Sequence, residues 1–245
     1  MPLFGTLDLD RALGLVPTIE GLAPEAWSLP GAETMQVSYE VAEGPALSVT
    51  PPGLHPSIPP YATFSVCRFP ESPVGPFSLA IVRLIVRAGI RPRGLLIKAF
   101  ADSAAAADAL RSGWGYDVSV ANVALSRRHD QIRGTVVVDD EVALEAILED
   151  PEPVGGGDLE LFDNLHLVNA ADGPLLVQVD PTYEHRTADR GGAGLPIFRA
   201  DALGIDGIDP VYGVIAVACV ADMELGAPRF VIDPTVPAVQ GTRRL

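Results

Sequence analysis

The chain reads as an α+β fold dominated by antiparallel β-sheet, and three observations carry that reading. Apolar runs of strand length are joined by short turns rich in glycine and proline. The plainest case is Phe77–Ala88, the turn Gly89-Ile90-Arg91-Pro92-Arg93-Gly94 and the return Leu95–Ala101, an arrangement that makes an antiparallel hairpin. The 245 residues include 24 glycines and 23 prolines, too densely spread for long helices because proline lacks the donor a helix interior needs. Hydrophobic residues make up 48% of the chain, and a chain of this length buries a substantial core. No linker, internal repeat or low-complexity tract divides it, so residues 1–245 are read as one domain.

The elements follow in order. Leu7–Leu15 reads as a short helix and Gln36–Val41 as a strand, its apolar residues alternating at Val37, Tyr39 and Val41. Pro51–Pro60 is a rigid crossing loop. Tyr61–Phe69 is a strand leading to the hairpin. Ala104–Leu110 is then a helix, with Asp102 or Ser103 to cap its free N–H groups and Gly113 to supply the positive φ that ends it. Ala121–Ala124 and Gln131–Val138 pair around a charged turn, Arg127-Arg128-His129-Asp130. Val142–Leu148 has helical composition in a position that suits a return strand. Leu159–Leu161, His166–Val168, Leu175–Val179, Val211–Asp222 and Phe230–Ile232 read as strands, Pro181–Leu195 as a polar loop, and Asp201–Ile208 as loop or short helix.

Charge and motifs exclude several functions. Asp and Glu number 32 against 17 Lys and Arg, giving a net charge of −15, which repels the phosphates of nucleic acid. No apolar run reaches membrane-spanning length, and Ser78–Val86 is interrupted by Arg83. The N-terminus lacks the basic region and apolar core of a leader, so a cytoplasmic location is expected. Cys67 and Cys219 sit in apolar strands, where a free thiol is a small hydrophobe. Glu184 and His185 are adjacent, so they point apart, and no second histidine stands at ligand spacing. Gly155–Gly157 lack the Lys-Ser/Thr of a phosphate loop, and no Gly-x-Ser-x-Gly elbow is present. No metal and no cofactor is expected.

The stretch Arg93–Val120 carries a family likeness. Gly75-Pro76-Phe77, the strand running to Asp102, the helix Ser103–Ser112 and the corner Gly113-Trp114-Gly115-Tyr116 resemble, in order and spacing, the acetoacetate decarboxylase superfamily. Pro51–Tyr61 looks like entries to its more distant members, and the likeness is good over Pro51–Asp139. The resemblance implies a cone or barrel-like sheet around a ligand cavity, a small-molecule carbonyl or carboxylate ligand, and a homo-oligomer. It also implies departures. The family's Schiff-base lysine, first of the pair in G-[YF]-P-K-K, falls on Val118, and the site glutamate of GPY-x-E falls on Leu79. Neither apolar residue forms an imine or moves a proton, so the standard decarboxylation cannot run as written.

Strand parity supplies the candidate site. With Leu79 facing inward, Ile81, Arg83, Ile85 and Arg87 share its face. Arg83 then offers a planar fork to a carboxylate. On the partner strand Phe100 falls on a cavity-lining position of the family, which brings Lys98, the sole lysine, to the same pocket. Two cations in one apolar pocket lower a lysine's pKa toward that of a nucleophile; the plainer alternative is a sheet lysine with its head in water. Tyr116 and Asp117 follow the corner as candidates for proton transfer, with Trp114 a core or lid aromatic. Three functions follow: a divergent lyase acting on a keto acid or related carbonyl compound, with Lys98 as a relocated amine and Arg83, Leu79, Phe100, Val118 and Trp114 around the substrate; a non-catalytic small-molecule binder; or a non-imine cyclase, isomerase or dehydratase using Tyr116 and Asp117.

Overall fold

The two strands read most directly, β3 (Tyr61–Phe69) and β4 (Phe77–Ala88), form at those bounds in the computed structural model, which describes residues 3–89, 91–205 and 207–245. Ile90 of the expected turn and Asp206 of the expected loop lie outside the described residues, as do Met1 and Pro2. Strand β1 (Trp27–Val41) begins well before the expected Gln36, and β2 (His55–Pro56) is a short strand in the proline-rich crossing. The hairpin partner is β5 (Arg91–Ala101), and β6 (Val118–Val120) runs parallel beside it. Then come β7 (Asn122–Arg127), β8 (Gln131–Val138), β9 (Glu141–Pro153), β10 (Asn164–Ala170) and β11 (Gly173–Val179). Last are β12 (Thr182–Phe198), β13 (Pro210–Leu225), β14 (Phe230–Ile232) and β15 (Thr242–Arg244).

The fifteen strands among the described residues belong to one mixed sheet. Its order is β15-β14-β11-β10-β5-β4-β3-β1-β13-β12-β9-β8-β7, with β2 on β4 and β6 on β5. Most pairs are antiparallel; β10 and β6 each run parallel to β5. The fold class is the expected one, and the sheet is mixed rather than closed. Val142–Leu148 is strand, since β9 pairs with both β8 and β12. The segment expected as a polar loop, Pro181–Leu195, is mostly strand β12, fixed between β9 and β13. Its alternation is muted because only Ala188 is fully buried. Leu159–Leu161 lies outside any strand.

Helices are few and short. α1 (Leu9–Leu13) is capped by Asp8, α2 spans Glu43–Val49, and α3 spans Ala104–Trp114. The hydroxyl of Ser103 caps α3 by accepting from the N–H of Ala106, while the Asp102 carboxylate accepts from the N–H of Ser78 at 2.7 Å. The cap is thus Ser103, and Asp102 ties the helix start to β4. The helix ends at Gly115 with φ +74° and not at Gly113, because the chain turns only once Trp114 is in place.

The central strands β1, β3 and β4 are buried on both faces. One face packs Val37, Phe64, Val82 and Phe100 against Ile132, Val136, Leu144 and Leu148 of the β8–β9 hairpin. The other packs Leu79, Ile81, Cys67 and Leu29 under α3 through Ala106, Leu110 and Trp114. A cavity lies on this second face.

Candidate functional site

One face of the central sheet carries polar side chains where burial alone would select apolar ones. Register aligns three rows across β1, β3 and β4: Thr34, Cys67 and Leu79; Gln36, Ser65 and Ile81; Ser38, Thr63 and Arg83. All nine are buried. Buried polar groups cost free energy unless they are paired, so their hydrogen bonds indicate what the face is built to hold.

They hold Arg83, which is 6% exposed. Its Nη1 donates to the carbonyl of Phe162 at 2.9 Å and to Asn164 Oδ1 at 3.1 Å. Its Nη2 donates to Gln36 Oε1 at 3.3 Å and to the Ser65 hydroxyl. Every one of these acceptors is neutral, and among the described residues Arg83 forms no ion pair. Nε has no partner. Removal of a guanidinium from water without a carboxylate in contact costs several kcal/mol; burial accordingly lowers its pKa, and the charge of Asp163, which does not pair with it, offsets this only in part. A site that holds a cation in this way is complementary to an anion that supplies the missing charge. Gly94 makes the placement possible, since a Cβ there would stand 2.6 Å from Arg83 Cδ.

Arg83 closes one end of a cavity whose other walls are apolar: Trp27, Leu29, Phe77, Leu79, Met223 and Leu225. Tyr116, Asn164 and Tyr183 join Arg83 at the polar end. Asn164 Nδ2 donates to the Tyr116 hydroxyl at 3.2 Å, which leaves the phenolic proton available to a ligand. Burial pushes the phenols of Tyr116 and Tyr183 up, and the Cys67 thiol likewise, so all three stay protonated at neutral pH. Behind Tyr116 the buried His166 stacks edge-on at 4.0 Å, its Nδ1 donating to the Trp114 carbonyl at 2.8 Å. Burial lowers its pKa to about 4 and keeps it neutral. The enclosed space is about 30 Å³, room for a water molecule or two.

The structure divides the sequence-predicted residues into two groups. Leu79, Arg83 and Tyr116 line the cavity. Trp114 and Val118 are buried in the same core behind it; Trp114 packs on Trp27 at 5.1 Å and donates Nε1 to the Gly226 carbonyl. The expected meeting of Lys98 with Arg83 does not occur. Phe100 and Lys98 pair with Ala80 and Val82, so they share the opposite face, while Ala99 and Ala101 stand on the cavity side. A one-residue difference in pairing flips every side chain. Only Leu96 reaches the row of Arg83, through an irregularity at Ile97. Lys98 Nζ instead meets Asp117 Oδ1 at 2.9 Å beside a separate groove. Among the described residues, no group of three or more His, Cys, Asp or Glu side chains is placed to hold a metal.

Sequence reasoning missed Gln36, Ser65, Asn164, Tyr183 and His166. The signal for the first two was present: Thr34, Gln36 and Ser38 alternate on β1, and Thr63 and Ser65 on β3, a polar parity on strands otherwise fit for a core. Asn164, His166 and Tyr183 arrive from distant chain positions, and nothing local marks them.

Comparison with known proteins agrees with this fold. A sequence model of the acetoacetate decarboxylase (ADC) family matches residues 17–164. No curated protein sequence matches the chain. An acetoacetate decarboxylase of Legionella pneumophila has a TM-score of 0.69 at 18% identity, covering 84% of this chain and 86% of that one. The enduracididine biosynthesis enzyme MppR, in complex with pyruvate, has a TM-score of 0.69 at 18% identity, covering 85% and 91%. An acetoacetate decarboxylase-like enzyme from Sphingomonas wittichii RW1 has a TM-score of 0.63 at 15% identity, covering 85% and 92%. No helix among the described residues is long and apolar enough to cross a membrane.

Proposed function

The chain belongs to the acetoacetate decarboxylase family, and from that premise we propose that it is a divergent member that binds a small oxo acid, or a related carboxylate, on Arg83 without forming an imine. The observation that carries this reading is the buried guanidinium, held by neutral acceptors with one N–H unpartnered at the end of an apolar cavity. A carboxylate there completes the charge, and the phenolic proton of Tyr116 is placed to meet a carbonyl oxygen of the same ligand. The solved neighbour that holds pyruvate supports a ligand of this class. Lys98 is held by Asp117 on the other face, which leaves no amine at the cavity among the described residues. The test is calorimetric titration with pyruvate, acetoacetate and longer oxo acids. Binding that is lost in Arg83→Gln, with the fold intact by circular dichroism, supports the reading; equal binding by the variant overturns it.

A second reading, non-imine carbonyl chemistry, is favoured by the pairing of Tyr116 with a neutral His166 whose Nε2 is unpartnered. A hydrogen bond from Tyr116 to the ligand's carbonyl oxygen acidifies the adjacent C–H, and the unpartnered Nε2 of His166 is the base that takes this proton, which leaves an enolate and an imidazolium. The measurement is deuterium uptake at the α-carbon of pyruvate, followed by NMR. Uptake above the protein-free rate that falls in Tyr116→Phe places the protein among enzymes; uptake at the protein-free rate leaves it a binder.

A further inference from the structure

A second and larger cavity, of about 360 Å³, adjoins the Arg83 site and is lined in part by Gln36, Ser38, Glu40, Tyr61, Glu160 and Phe162. Two of these residues also hold Arg83: Gln36 through its side-chain oxygen and Phe162 through its carbonyl. Gln36 and Phe162 therefore stand between Arg83 and the outer cavity. Gln36 pins this partition, since its Nε2 donates to the Glu160 carbonyl at 3.0 Å while its Oε1 accepts from Arg83.

Three features point to a ligand that occupies both sides. The inner cavity, at about 30 Å³, has no room for more than the head of an organic anion. The hydroxyl of Thr63 is fully buried without a partner. It stands in the cross-strand row between Ser38, which lines the outer cavity, and Arg83, which lines the inner one. A buried hydroxyl without a partner is uncommon in folded proteins, and this one stands between a residue of the outer lining and a residue of the inner one. The outer cavity also reverses the charge of the inner one. Glu40, Asp158 and Glu160 line it with no basic side chain among its lining residues. Burial, and then the Glu160 carboxylate, push the Tyr61 phenol there up to about 12 against the opposing charge of Arg87, so it too is neutral.

We propose that the outer cavity is the second half of the same binding site, and that it takes the cationic end (an ammonium or amidinium group) of a ligand whose carboxylate lies on Arg83. The inference rests on the Arg83 reading and adds the class of ligand: a zwitterion with its charges at opposite ends. Gln36 then acts as a positioning residue that turns aside as the chain of the ligand passes.

Straight-chain ω-amino acids of four to eight carbons, titrated beside the alkanoates of equal length, test the proposal. At the length that spans the partition, the amino acid should bind at least tenfold more tightly than its alkanoate. The double substitution Glu40→Gln with Glu160→Gln should bring the ratio of the two affinities to about one, with thermal melting as the control for folding. Arg83→Gln should weaken binding of both ligands by about 10- to 100-fold. Alkanoates that bind as tightly as the amino acids at every length would overturn the cationic subsite and leave the Arg83 reading standing. Alkylammonium ions separate the remaining outcomes. If they bind and depend on Glu40 and Glu160 while alkanoates do not bind, the Arg83 reading falls and an isolated cation site remains; if neither binds, both ideas fall.

Discussion

Strands β4 and β5 set Arg83 and Lys98 on opposite faces of the sheet, and the protein treats these two cations in opposite ways. Lys98 has a side chain 20% exposed, and a carboxylate, Asp117, meets it at 2.9 Å. Arg83 is buried more deeply, yet the described residues give it only amide, hydroxyl and carbonyl acceptors. An ion pair near the surface is satisfied within the protein and contributes little. A buried cation held by neutral dipoles is stabilised only in part and has charge to offer a ligand. The comparison separates a residue that looks reactive by composition, the sole lysine, from one whose surroundings make it useful.

The largest expected effect tests the buried side. Arg83→Gln should weaken oxo-acid binding by about 10- to 100-fold, the range for a lost hydrogen bond to a charged group; titration calorimetry reads it. The same comparison carries a stability signature through His166. Its folded pKa is about 4 against 6.5 for the ordinary side chain, so as pH falls below 6.5 the unfolded chain takes up a proton that the native state refuses. Stability is therefore lost between about pH 6.5 and 4, by about 3 kcal/mol from this residue at the lower end. Urea melts from pH 7 to 4.5 should show a shallower decline for His166→Gln than for the wild type; parallel declines would contradict the assignment.

Gly94→Ala is expected to act next in size. Its Cβ would meet Arg83 Cδ at 2.6 Å, and overpacking of this kind costs about 1–3 kcal/mol. The arginine has to shift, so ligand affinity should fall several-fold together with the melting temperature. The smallest effects belong to the exposed side. Lys98→Met and Asp117→Asn should each change stability by about 0–1 kcal/mol and leave oxo-acid binding at its wild-type value. Borohydride reduction in the presence of pyruvate should likewise give no adduct at Lys98, and a trapped adduct would break the contrast between the two faces.

The family's fold was legible because the chain keeps its local signals: the apolar strands β3 and β4, the turn into β5, and α3 with its Ser103 cap and glycine corner. Leu79 and Val118 could be read as apolar departures from the family's acid and amine, and both are buried, Leu79 at the cavity and Val118 in the core behind it. Arg83 was legible as an inward residue because β4 alternates without a break from Leu79 to Arg83. The face of Lys98 was not. Parity within a strand is local, whereas the pairing of β5 against β4 depends on which residue opposes which, and Ala99 and Ala101 proved to be the inward ones.

What the sequence determined by itself is therefore what depends on neighbours along the chain: strands and their alternation, helix caps, the acidic surface charge, and the absence of a lysine at the Val118 corner. The tertiary structure alone decided which polar groups converge. Gln36, Ser65, Phe162 and Asn164 reach Arg83 from 47, 18, 79 and 81 residues away, and no local pattern encodes such distances. The physical reason is that hydrogen bonding and charge act through space at about 3 Å, whereas sequence periodicity reports only which side of an element a residue occupies.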